Sequence, residues 1–242
     1  MASPLLAFPY VALVALFYRQ SDGFDNTTSL YDFWKTLPVL MLSVLCYVIG
    51  AGLRGRERTF TALGLFFGAI GDYIIGGTDN GLAAGAVAFG IGHIFYLLTF
   101  AHRIQRLNIK LTLALMLMNG AIVALFIHPI FRESCLSGAI LGSYSMILSF
   151  CCAVSGSLYR HGTTDESPRE FNNFLRFAGY TLFCASDSML IARQQGVPIP
   201  LAEKFILATY FTAQYLIVWG TCLTHRMAAE RESRAMHAKM GK

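Results

Sequence analysis

Between Asn80 and Ala101 the chain runs for 22 residues without one Asp, Glu, Lys or Arg. A stretch of that length matches the ~20 apolar residues an α-helix needs to cross the hydrocarbon core of a bilayer. Similar runs occupy Met1–Tyr18, Thr36–Leu53, Leu111–Ile127, Ser134–Tyr159 and Phe205–Thr224. Two more, Thr59–Thr78 and Phe177–Ala192, are each interrupted by a single acid, Asp72 and Asp187. The first run has no basic N-terminal segment and carries Pro4 and Pro9, which suits a first span better than a secretory signal. The expectation is an all-α polytopic membrane protein, a bundle of about eight transmembrane helices. Composition agrees. Hydrophobic residues make up 55% and charged residues 14% of the 242, and the mean hydropathy is +0.52. A soluble domain carries ~25% charged residues to cover its core. Eight spans of ~20 residues leave only loops and a short basic tail, residues 225–242, and no room for a separate soluble domain.

The net charge of +5 is distributed unevenly. The segments after the second, fourth and sixth spans, together with the tail, hold 14 of the 19 Lys and Arg residues. The alternate segments hold only Arg19, Lys35, Arg132, Arg193 and Lys204. Basic residues concentrate on the cytosolic side of membrane proteins, so both termini are expected there. The basic surplus is thus a topology signal, and nucleic acid is not an expected partner. The first non-cytosolic loop carries an Asn26-Thr27-Thr28 sequon close to the membrane edge. The six cysteines lie mostly inside apolar runs, with no C-x-x-C pair, and read as small core hydrophobes.

A charged Asp at the centre of a span costs ~2.5–3.5 kcal/mol on insertion scales, so Asp72 and Asp187 need a reason. Both lie in the outer part of spans running in the same direction, at similar depth, which permits one shared cavity. Two carboxyls in an apolar cavity do not readily both ionise. One then holds a proton and the other is a base, the arrangement acid-assisted hydrolysis requires. The alternative is that each acid caps a helix end or pairs with a structural neighbour. In the fourth span, His93 and Tyr96 are three residues apart and share a helix face. Tyr210 and Gln214, four apart, do the same in the eighth. A polar layer below the acids is expected from these four, with interhelical hydrogen bonding as the plainer role. The third and fourth spans and the seventh and eighth form a faint parallel repeat, each pair opening on an acid-bearing helix.

Metal chemistry is poorly provided for. His93 is the one histidine deep in a span, and H-E-x-x-H is absent. A serine hydrolase lacks its G-x-S-x-G elbow.

Gly71-Asp72, Gly92-His93 with Tyr96, Ser186-Asp187-Ser188, and Tyr210 with Ala213-Gln214 come in an order and spacing that resemble the YhhN-type lysoplasmalogenase family of eight-span membrane proteins. The resemblance covers nearly the whole chain. It implies cleavage of the vinyl ether bond of lysoplasmalogens, giving a fatty aldehyde and glycerophosphocholine or glycerophosphoethanolamine, with no metal or organic cofactor. It places the family's paired acids at Asp72 and Asp187. The Lys-Pro pair that opens the family's second span has its counterpart in Lys35 and Pro38, here separated by Thr36-Leu37. The expected partners are a lysophospholipid substrate and the surrounding membrane lipid, and the simplest location is the endoplasmic reticulum. Headgroup preference and oligomeric state stay open. The alkenyl chain is expected among Phe66, Phe67, Phe89 and Phe95. A small-molecule or lipid transporter using the same acids is the competing reading.

Overall fold

The computed structural model describes residues 4–25, 30–77 and 81–240. The helices in chain order are α1 (Pro4–Gln20), α2 (Tyr31–Ile49), α3 (Gly55–Gly77), α4 (Gly81–Phe100), α5 (Ile109–Ile122), α6 (His128–Glu133), α7 (Cys135–His161), α8 (Phe171–Gln194) and α9 (Ala202–Met240). No strand occurs among the described residues. The sequon Asn26-Thr27-Thr28 and the expected span ends Met1, Thr78 and Asn80 lie outside them, as do Gly241 and Lys242 of the tail.

Six helical stretches among the described residues are long and apolar enough to cross a bilayer: α2, α3, α4, the α5–α6 run, α7 and α9. α1 is apolar but shorter. α8 carries Asn172, Asn173, Arg176 and Asp187, and it turns the first three inward, where they are fully buried. The chain is an all-α, multi-pass membrane bundle.

Helix ends differ from the apolar runs for local reasons. α2 stops at Ile49 because Gly50 turns left-handed, φ 74°, and its N–H bonds Cys46 O. Leu53 therefore sits in the following turn. The Leu111–Ile127 run is not one regular helix. Past Ile122 it widens into a π turn, Val123–Ile127, and resumes as α6. Pro129, at the start of α6, has no N–H for the carbonyl four residues back, so the regular ladder cannot pass through this point. α9 continues through the basic tail as helix.

The two helix pairs of the sequence repeat, α3–α4 and α8–α9, are each drawn together at a glycine. A Cβ on Gly92 would lie 2.8 Å from the carbonyl oxygen of Gly64, and one on Gly179 would lie 3.0 Å from that of Ala213. Only hydrogen side chains let the backbones approach this closely. Between the pairs lies an aromatic core including Phe100, Tyr180 and Phe183, and Phe17 of α1 packs against Phe211 of α9, all four side chains being buried. α1 is tied to this core by the Tyr10 hydroxyl, which donates to Phe211 O at 2.8 Å.

The two membrane faces are closed by different groups. On the basic face, Arg103 meets Glu166 at 3.0 Å. The Asn172 and Asn173 side chains donate to the two Glu166 oxygens, and Arg176 donates to Asn173 and Thr224. Burial pushes the Glu166 carboxyl up, but Arg103 and the two amides outweigh it and hold it below its ordinary range. On the opposite face, Arg193 of α8 pairs with Glu203 of α9, and the Tyr31 hydroxyl donates to Glu203 Oε1 at 2.9 Å.

Candidate active site

A cavity of about 340 Å³ opens among α2, α3, α4, α5, α7, α8 and α9 in the half of the bundle away from the basic face. Asp72 and Asp187 both line it, with Lys35, Tyr144 and Tyr210. Asp72 stands on α3 and is buried. Lys35, one turn into α2, brings its ammonium to 3.5 Å from Asp72 Oδ1. The Tyr210 hydroxyl donates to Asp72 Oδ2 at 2.5 Å. Asp187 stands on α8 and accepts a hydrogen bond from the Tyr144 hydroxyl of α7. Each acid is thus held by a tyrosine from another helix. Of the two acids, Asp72 alone has a cation within ion-pair distance among the described residues.

The two tyrosines meet across one ring. Phe89 of α4 packs edge-on against Tyr210, centroids 6.0 Å apart, and lies 6.4 Å from Tyr144. Phe89 also lines the cavity, so the acids share a wall of three aromatic side chains.

Behind Asp72 runs a buried relay. The Tyr96 hydroxyl donates to Gln214 Oε1 at 2.9 Å, and Gln214 Nε2 donates to the Tyr210 hydroxyl at 3.3 Å. Tyr96 and Gln214 do not line the cavity. They fix the hydroxyl that fixes Asp72. His93 also stands behind the wall. Its ring packs edge-on against Phe183 at 4.6 Å and lies 5.9 Å from Tyr144, and neither ring nitrogen has a hydrogen-bond partner among the described residues. Ser186 is committed elsewhere, donating to Ile206 O at 2.9 Å and joining α8 to α9.

The remaining lining is divided by helix. Its charged groups come from α2, α8 and α9, which contribute Tyr31, Lys35, Arg193, Gln194 and Glu203 beside the apolar Leu190, Ile191, Ile206 and Leu207. α4, α5 and α7 contribute a wall without charge whose apolar part includes Leu82, Ala86, Met118, Ile122, Leu141 and Leu148, with Asn119, Ser145 and Ser149 among them, and the π turn adds Ile127. Of the four phenylalanines expected along an alkenyl chain, Phe89 alone reaches this cavity. Phe67 and Phe95 stack on each other across α3 and α4, 5.7 Å apart, and Phe66 is turned outward, 44% exposed. Helix rotation separates them from Phe89. Apart from Phe89, the apolar side chains that line the cavity are mostly aliphatic.

Sequence reasoning passed over Tyr144, Arg193 and Glu203. Tyr144 lies in Ser143-Tyr144-Ser145, a polar triplet within an apolar run, and that triplet was the available signal. Nothing local marks Arg193 or Glu203, whose partnership exists only once α8 and α9 are side by side.

Among relatives, the chain is similar to the lysoplasmalogenase TMEM86A of Bos taurus, 27% identical over 196 residues, which span 76% of this chain and 74% of that protein. No solved structure matches the chain. The model of the YhhN family matches residues 30–221, a range that contains both acids, both acid-bound tyrosines and Lys35. By that match, over most of its length and across the whole cavity, the chain belongs to the YhhN family.

Proposed function

We propose that the protein is a membrane hydrolase that cleaves the vinyl ether bond of lysoplasmalogens, releasing a fatty aldehyde and glycerophosphocholine or glycerophosphoethanolamine. The observation that carries the reading is the meeting of Asp72 and Asp187, from different helices, in one cavity with a charged wall and an uncharged, mostly apolar wall. Family membership and the lysoplasmalogenase relative support it.

A vinyl ether resists bases and yields to acids. In the proposed reaction Asp187, whose hydrogen-bond donor is a neutral hydroxyl, carries the proton. It protonates the alkene carbon distal to the ether oxygen, and the carbon bonded to oxygen becomes an oxocarbenium ion. Asp72, facing Lys35 and Tyr210, is the carboxylate. Its charge stabilises the cation and then takes a proton from the attacking water. The hemiacetal so formed collapses to aldehyde and alcohol: Asp72 gives its proton to the leaving ether oxygen and Asp187 takes the proton of the hemiacetal hydroxyl, which restores both acids. Water is the one co-reactant consumed. In this reading Tyr96, Gln214 and Tyr210 position Asp72, Tyr144 positions Asp187, and His93 packs behind Tyr144.

The same reading places both termini in the cytosol and the protein in the endoplasmic reticulum membrane. The distribution of basic residues supports the orientation, and in that orientation the cavity opens on the side away from the cytosol. The deciding experiment is purified protein with a vinyl ether lysolipid. Release of aldehyde supports the hydrolase. Vesicle flux of the lipid without aldehyde release makes the protein a transporter and refutes it.

A further inference from the structure

We infer that the Arg193–Glu203 ion pair, with Tyr31 beside it, is the headgroup subsite of this cavity: it takes a zwitterionic phosphodiester, phosphate on Arg193 and ammonium on Glu203. The inference rests on the lysoplasmalogen reading and assigns the part of the substrate that does not react.

Three observations lead there. First, the pair stands in the cavity lining, at the last turn of α8 and the first of α9, on the same face as the acids. An ion pair confined to the surface contributes little to stability. This one lines the cavity, with Arg193 exposed at its edge and Glu203 more covered. Side-chain exposure is 47% for Arg193 and 24% for Glu203.

Second, the groups have capacity left. A guanidinium has five N–H donors, and Arg193 gives one, through Nη1, to Glu203 Oε2. The remaining donors suit the oxygens of a phosphodiester, which a guanidinium can engage in pairs. Glu203 accepts from Tyr31 at Oε1 and from Arg193 at Oε2 and keeps lone pairs for a cation. A zwitterion therefore docks beside the pair without breaking it, each of its charges facing the opposite one.

Third, the spacing fits. Arg193 is six residues beyond Asp187 on the same helix, a rise of ~9 Å. In a lysoplasmalogen, seven bonds separate phosphorus from the alkene carbon that is protonated, and an extended chain of that length reaches ~8 Å. With the alkene at Asp187, the phosphate arrives at the level of Arg193.

The experiment uses the full-length purified protein with three vinyl ether substrates: lysoplasmenylethanolamine, the matching alkenyl lysophosphatidate without the amine, and 1-alkenylglycerol without phosphate. Wild type is expected to favour the first by kcat/KM. Arg193→Gln should lower the ratio of the first to the third about 10- to 100-fold, chiefly through KM, the range of one charge-assisted contact. Arg193→Lys should recover part of it, since charge returns without the planar fork. Glu203→Gln should lower the ratio of the first to the second. Unchanged ratios in both Gln variants would overturn the subsite. So would a wild type that cleaves 1-alkenylglycerol as efficiently as the phosphodiester, a result that needs no variant to fold. A wild type that cleaves none of the three overturns the hydrolase itself, and the subsite with it.

Discussion

The Tyr210 hydroxyl donates to Asp72 Oδ2 at 2.5 Å and so joins α9 to α3 at the cavity wall. The same hydroxyl accepts from Gln214, which accepts in turn from Tyr96. A residue lining the cavity is thus oriented by two that never reach it. The arrangement orders the effects of substitution by distance along this chain.

The acids come first. Asp72→Asn and Asp187→Asn keep size and polarity but end proton transfer at that position. Each is expected to lower vinyl ether turnover ~10²–10⁴-fold, the usual weight of general acid–base catalysis. The double variant should be little worse than the worse single, because groups that act as one unit do not add. Turnover by purified variants of matched thermal stability is the measurement. Near wild-type turnover in either single variant would return that Asp to a structural role.

The tyrosines should matter less than the acids. Tyr144→Phe and Tyr210→Phe each remove one hydrogen bond to a carboxyl, worth ~1.5–3 kcal/mol, or about 10- to 100-fold in rate. Gln214→Ala and His93→Ala act one step further away and should weaken turnover without abolishing it. Complete loss in all four, with the fold intact, would mean that these side chains touch the reacting atoms.

Gly92→Ala tests the α3–α4 contact. The added methyl would lie 2.8 Å from Gly64 O, a backbone atom that cannot swing aside. Overpacking of this kind costs about 1–3 kcal/mol. Gly142→Ala on α7 is the control, since nothing lies within 4 Å of its added Cβ. Thermal unfolding in detergent should separate the two. Equal melting temperatures would show that the helices are not seated as described.

Glu166 gives the basic face a pH dependence. Its carboxyl is held below the ordinary range, against its burial, by Arg103 and the Asn172 and Asn173 amides. A depressed carboxyl contributes stability fully above its unfolded value, ~4.3, and loses it as pH falls through the folded one. Glu166→Gln should therefore destabilise by about 1–3 kcal/mol at neutral pH. The gap from wild type should close in acid, below about pH 4. A gap that persists there would assign the effect to packing.

Cys135 reports orientation. It is exposed at the start of α7, on the face of the cavity mouth, while the other five cysteines are buried. In sealed microsomes an impermeant maleimide should miss it, and detergent should expose it. Labelling of sealed vesicles that disappears in Cys135→Ser would reverse the topology.

The fold was legible because burial in a bilayer is written in composition. Uncharged runs mark most of the helices directly. Asp72 and Asp187 stood out for the same reason, as exceptions to the runs around them. What could not be read depends on rotation and neighbours. Phe66, Phe67 and Phe89 are equally apolar in sequence, yet only Phe89 faces the cavity. Lys35 carried one cue, its place near Pro38, and its contact with Asp72 needs α2 and α3 side by side. The π turn follows from Pro129, a cue present in the sequence, but its place in the cavity wall depends on α7 and α8.

The division of the cavity into a charged wall and an uncharged, mostly aliphatic wall also describes the molecules used to extract such a protein from its membrane. A zwitterionic single-tailed surfactant has the same outline as the proposed ligand and lacks only the bond to be cleaved. Solubilisation then becomes a competition experiment. Apparent affinity for a vinyl ether lysolipid should fall as such a surfactant is added, and fall less with a bulky sugar-headed one. Nanodiscs, whose two-tailed lipids fit this outline poorly, should restore it.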